Sequence, residues 1–168
     1  MRARPALILH IGSDALGEDV PLPSRTQARR AILAALQAPS PRLEAGRCAE
    51  ISLRFVDDAA MAALNAAFRG KDVPTNCLSF PQPSLPAIFR RDLLGDMAIA
   101  PAVVAREAAE QGKGLLAHYR HLLIHSTLHL LGYDHQNEAE AAEMEALECR
   151  FLAEMGVADP YVQSAVHE

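Results

Sequence analysis

HSTLHLLGYDH, residues 125–135, gathers three of the chain's seven histidines, with an aspartate and a tyrosine, into one short block. Side chains four apart share a face of an α-helix, so His125 and His129 aim their imidazoles at a common point. Gly132 tolerates the left-handed backbone that ends a helix, and a chain turned back there carries His135 to the open side of that point. Three neutral imidazoles with the fourth position left to water form the catalytic pattern of zinc, because structural sites are usually closed by four protein ligands. The block therefore predicts one Zn²⁺ held by His125, His129 and His135. Ni²⁺ binds such a set in vitro, as does Cu²⁺, so the ligands do not name the ion. Plain residues of an amphipathic helix are the competing reading, and it is the expectation for His118 and His121, which continue the stripe toward the helix N-terminus. Asp134 stays open between two roles, fixing the tautomer of a ligand imidazole or forming the turn.

Working outward, the helix carrying the histidines is predicted from Leu115 to Leu131 and closed by Gly132. Asn137, with Glu140 three residues on, caps a last helix whose stripe of Ala141, Met144, Leu147, Phe151 and Met155 is expected to face inward until Gly156. Upstream, Pro101 starts a helix that runs to about Gln111. Residues 76–80 and 96–100 read as short strands, separated by a loop with three prolines and the basic pair Arg90 and Arg91. Asp57 and Asp58 cap a helix whose apolar positions Met61, Leu64 and Phe68 step by three and four before Gly70 ends it. A strand with one wet face spans 50–56. Ser24 and Gln27 form a capping box for a helix over 25–37, and residues 6–11 form a first strand. The expected fold class is α+β: a single domain over 1–168, with a small mixed β-sheet, about five helices and a zincin-like HxxxH metal helix.

Composition bounds the function. At 168 residues the chain suits one core, and 50% hydrophobic with 22% charged residues is an ordinary globular balance. A net charge of −5 offers no bulk attraction to a polyanion, so nucleic-acid contact has to be local or centred on a metal, and DNA is not an expected partner. Cys48, Cys77 and Cys149 lack CxxC spacing, which suits a reducing compartment. His10 interrupts the N-terminal apolar run, and no stretch approaches the ~18 apolar residues of a membrane span. A cytoplasmic protein without a membrane partner is expected.

The position after the first histidine, where HExxH peptidases carry their general base, holds Ser126. With no carboxylate among the ligands the site keeps close to the full charge of the ion, which favours an anionic substrate such as a phosphodiester. LNAAFRGKDVPTNCLSFP, residues 64–81, then places Arg69 and Lys71 on a glycine turn between helix and strand. Such a turn displays phosphate-binding groups; equally, basic residues stabilise a solvated helix C-terminus.

Taken together, RGKDVPTNCLSFP (69–81), LLGDMAIAP (93–101) and HSTLHLLGYDH resemble the three signature blocks of the YbeY family, bacterial metal-dependent endoribonucleases. The resemblance covers roughly residues 49–161. It implies a zinc-dependent endoribonuclease specific for single strands, a hydrolase of phosphodiester bonds acting in 16S rRNA maturation and ribosome quality control. The partners implied are single-stranded rRNA and the small ribosomal subunit with its proteins. By the same resemblance His125, His129 and His135 are the metal ligands and Arg69 the basic catalytic residue. Asp72, Thr75, Ser79 and Asp96 match other motif positions, and Asp134, Asp96, Ser126 and Lys71 are the expected supporting residues. Ser126 stands where the family usually has glycine, adding a hydroxyl near the metal, and Cys77 where valine is common. The first 48 residues carry no signature. A zinc-dependent peptidase or amidase, and a non-catalytic assembly factor with a structural metal, are the competing functions.

Overall fold

The computed structural model describes residues 5–14, 16, 19–43, 47–82 and 91–161, with Arg91 described by its backbone alone. Two strands of alternating pattern, β1 (Ala6–Ser13) and β2 (Cys48–Phe55), pair in parallel from Ala6↔Cys48 to Ser13↔Phe55. A parallel pair needs a long crossover, and helix α1 (Arg25–Ala35) supplies it. The capping box forms as expected: Ser24 Oγ accepts from the Gln27 amide, and Gln27 Oε1 accepts from the Ser24 amide. Helix α2 (Asp58–Arg69) is capped by Asp57, whose carboxylate accepts from the Ala60 amide, and Gly70 ends it at φ 71°.

Strand β3 (Cys77–Pro81) runs antiparallel to β4 (Arg91–Ile99), and the sheet order is β1-β2-β4-β3. The expected strand over 96–100 is thus extended at its start to Arg91, which belongs to the strand rather than the loop; Arg90 and the rest of 83–90 lie outside the described residues. A bulge hid the extension. The register of β4 on β2 slips from Glu50↔Leu93 to Ile51↔Gly95, so Leu94 is unpaired and the alternation breaks there. Asp92, which reads as a loop residue, is buried and satisfied by Arg47 Nε at 3.0 Å.

Successive residues of a strand face opposite sides, and Met97 and Ala98 divide the core accordingly. Met97 joins the main cluster with Ile51, Leu53 and Phe55, covered by α1, α4 (Leu115–Leu130) and α5 (Glu138–Glu154). Ala98 joins a smaller cluster with Leu78, Met61, Val56 and Val103, on the side taken by α2 and the start of α3 (Pro101–Gln111). This is the expected α+β domain, with five helices and a mixed sheet among the described residues. The buried Tyr119 of α4 meets Phe55 edge to face at 6.2 Å and donates its hydroxyl to the Pro21 carbonyl, tying the first loop over the core.

Phe68, the last of the apolar positions spaced along α2, is 65% exposed with its ring 4.5 Å from that of Phe80. Asn65 takes the buried position, its Nδ2 donating to the Val73 carbonyl to close the turn after the helix. No helix among the described residues is long and apolar enough to cross a membrane.

Candidate metal centre

The last turn of α4 builds the site from its own backbone. The Tyr133 amide donates to the Leu128 carbonyl and the Gly132 amide to the His129 carbonyl, the paired bonds of a Schellman turn, with Gly132 at φ 101°. That turn sets the Tyr133 carbonyl 2.9 Å from His129 Nδ1. A carbonyl only accepts, so Nδ1 carries the proton and Nε2 a bare lone pair. His125 Nδ1 likewise meets the Glu148 carboxylate, at 3.2 Å, which leaves its Nε2 bare. The two Nε2 atoms lie 3.1 Å apart. Two lone pairs so close repel unless a proton or a metal ion is shared between them, and tetrahedral zinc at its usual bond length asks for about 3.3 Å between ligand nitrogens. His135 closes the set, with one ligand atom of each histidine within 4.8 Å of the others. The residues fit a divalent ion with imidazole preference.

Electrostatics favour the ligand form. Burial, then the neighbouring His125 and His135, push His129 down to about 4, so it stays neutral near pH 7. Burial alone would raise Glu148, but its hydrogen bonds with His121, His125 and Tyr161 outweigh it and hold the carboxyl at about 2. A pocket of about 310 Å³ opens between α4 and α5, lined by His125, His135, Met144, Glu148 and Tyr161.

The other expected residues lie around this centre. Asp134 is the turn former: its Oδ1 accepts from the His135 amide at 2.8 Å. Ser126 is fully buried on the sheet side of α4, its carbonyl accepting from Ser79 Oγ, and it does not line the pocket; the hydroxyl expected near the metal lies instead beside the Cys77 thiol of β3. Burial pushes the adjacent Cys77 thiol up to about 11, opposed by the Ser126 hydroxyl and by the charge of Arg69. Arg69 is therefore within electrostatic reach of β3, yet it lines a different space, a groove of about 1220 Å³ on the α2 side of the sheet that also takes in Arg54, Phe68, Phe80 and Asp96. Lys71 and Asp72 are exposed on the turn after α2, beside the half-buried Thr75. His118 and His121 stand outside the ligand set; His118 Nε2 meets Glu107 at 2.9 Å and His121 Nε2 meets Glu148 at 2.6 Å.

Two parts of the site escaped the sequence reading. Glu148 is 1% exposed, and its spacing after Met144 and before Phe151 could have revealed it, since a carboxylate on an inward stripe requires partners. The loop after α1 is the other: Ser40 Oγ donates to the Leu131 carbonyl at 2.6 Å and the Tyr133 hydroxyl donates to the Pro39 carbonyl. The region without a signature thus braces the metal turn.

A family model described as endoribonuclease YbeY matches residues 18–156, reaching further toward the N-terminus than the motif blocks and taking in α1. The endoribonuclease YbeY of Xanthomonas campestris pv. campestris is 50% identical over 143 residues, spanning 83% of this chain and 85% of that protein. That of Chromohalobacter salexigens is 56% identical over 117 residues, 68% of this chain and 73% of its own length. The fold is similar to the solution structure of a Thermotoga maritima protein, with a TM-score of 0.57 at 20% identity and 88% of each chain covered. The extent of the family match and the identity to these relatives establish that the chain belongs to the YbeY family.

Proposed function

We propose that this protein is a metal-dependent endoribonuclease that cuts single-stranded RNA, with one zinc ion resident at His125, His129 and His135. The observation that carries the reading is the pair of bare Nε2 atoms 3.1 Å apart, each oriented from behind by an acceptor on its Nδ1. When bound, a divalent ion supplies Lewis-acid polarisation and activation of water, and three neutral ligands leave it the charge to attract a phosphodiester. Arg69, which lines the neighbouring groove, is given the charge that develops on the scissile phosphate, which requires the RNA strand to pass from that groove over β3 to the metal pocket. The groove beside it offers the exposed Phe68 ring for stacking an unpaired base and Arg54 for backbone contact, features suited to single strands. The relatives' naming as endoribonuclease YbeY supports this chemistry. In the same reading the substrate is 16S rRNA in maturing or defective small subunits, met in the cytoplasm together with ribosomal proteins.

A peptidase reading lacks a base. Ser126 occupies the position that would carry it, and Glu148 approaches His125 from the Nδ1 side, away from the point where the two Nε2 atoms converge. The test is cleavage of single-stranded and duplex RNA by zinc-loaded wild type and Arg69→Ala. Single strands alone should be cut, and the variant should lose ~10²- to 10³-fold in rate with zinc content intact. Equal rates for the two proteins would remove Arg69 from the chemistry.

A further inference from the structure

We propose that Glu148 is the carboxylate that orients His125 for its metal, and that Tyr161 latches the C-terminal segment onto it, coupling metal retention to docking of residues 159–161. The proposal rests on the trio being the metal site. Glu148 divides its two oxygens among three donors: Oε2 meets His125 Nδ1 at 3.2 Å, and Oε1 meets both the Tyr161 hydroxyl and His121 Nε2 at 2.6 Å. A carboxylate this deep is tolerable only with such partners. The bond to Nδ1 fixes the tautomer and rotation of His125, because turning the ring to another orientation breaks it.

Tyr161 closes the arrangement from a distant stretch of chain. Its ring stands edge-on to His121 at 5.5 Å, its amide donates to Asp159 Oδ1 at 2.8 Å, and Pro160 between them is buried. The same side chain forms part of the wall of the pocket beside His125 and His135. Removing the hydroxyl takes one of two donors from Oε1, so that His121 alone is left to hold the carboxylate in place against His125. Linkage is reciprocal, so whatever the docked segment adds to metal affinity, the metal adds to docking.

Zinc affinity of the full chain, measured by competition with a chromophoric chelator, tests this in wild type, Glu148→Gln and Tyr161→Phe, alongside hydrogen exchange at the Tyr161 amide. Removal of a group behind a metal ligand weakens binding by about 10- to 100-fold; Glu148→Gln should lie toward the upper figure and Tyr161→Phe near the lower. Zinc should slow exchange at the Tyr161 amide in wild type and leave it unchanged in Glu148→Gln. Wild-type affinity in both variants, with exchange indifferent to zinc, overturns the proposal and leaves the trio standing. A wild type that takes up no zinc overturns the trio itself. Should Glu148→Gln fail to fold, Tyr161→Phe decides alone, since residue 161 is 41% exposed, and unchanged affinity there rejects the latch.

Discussion

His129 is the most constrained histidine of the trio. Its Nδ1 is committed to the Tyr133 carbonyl, its Nε2 faces that of His125, and burial with the two neighbouring histidines pushes it down to about 4. An unfolded chain protonates the same residue near 6.5, so as pH falls the unfolded state takes up the proton first. Stability of the metal-stripped protein should therefore be intact above about pH 6.5 and decline as pH falls toward 4. His118, lowered chiefly by burial and only partly compensated by Glu107, acts in the same direction. Denaturant titrations across this range on apo wild type and His129→Gln check the sign: the variant should show the shallower decline, and parallel curves would mean that His129 titrates as it does in water. The convergence of His125, His129 and His135 was legible because helical spacing plus a glycine turn is a local signal. Arg69 was legible as a residue type on a turn, but which space it lines depends on how α2 crosses the sheet, and no spacing reports that.

At the scale of elements, the helices whose ends carry side-chain caps came through closely: Ser24, Asp57 and Asn137 accept the amide bonds that their positions predicted. These are contacts within four residues and need no tertiary knowledge. Strand β4 was only half read, because the bulge at Leu94 breaks the period on which strand reading depends. Gly95 is the residue that permits it, at φ 143° and with the Phe80 carbonyl oxygen 2.2 Å from where a Cβ would stand. Gly95→Ala should cost about 3 kcal/mol through strain and overlap, and lower Tm by roughly 10 °C in a domain of this size. Thermal unfolding measures it, and a shift of a degree or less would mean that β3 can move off β4 without penalty. Phe68 shows the converse failure: a helical stripe marks apolar positions but not where the partner surface ends, and α2 outruns its core by one turn.

Across the whole molecule, the histidine site is held from three sides: its turn by the loop after α1 through Ser40 and Pro39, and the stretch of α4 carrying His125 and Ser126 by α5 through Glu148 and by β3 through Ser79. These contacts join residues 23 to 94 positions apart in the chain, which is why no local pattern announced them. An ion bound at their meeting point should stabilise the entire domain. At zinc a hundredfold above its Kd the gain is about 2.7 kcal/mol, visible as a rise in Tm that His129→Ala abolishes. In the proposed function, the net charge of −5 leaves RNA recognition to local chemistry, the ion and the Arg54–Arg69–Phe68 groove, rather than to the overall field. The most direct measurement titrates zinc back into chelator-stripped protein while bound zinc and single-strand RNA cleavage are read on the same samples. Cleavage should rise in step with occupancy, saturate at one ion per chain, and be absent from His129→Ala at every zinc concentration. Cleavage at full rate in the stripped protein, or in His129→Ala, would contradict the assignment of the histidine trio as the catalytic centre.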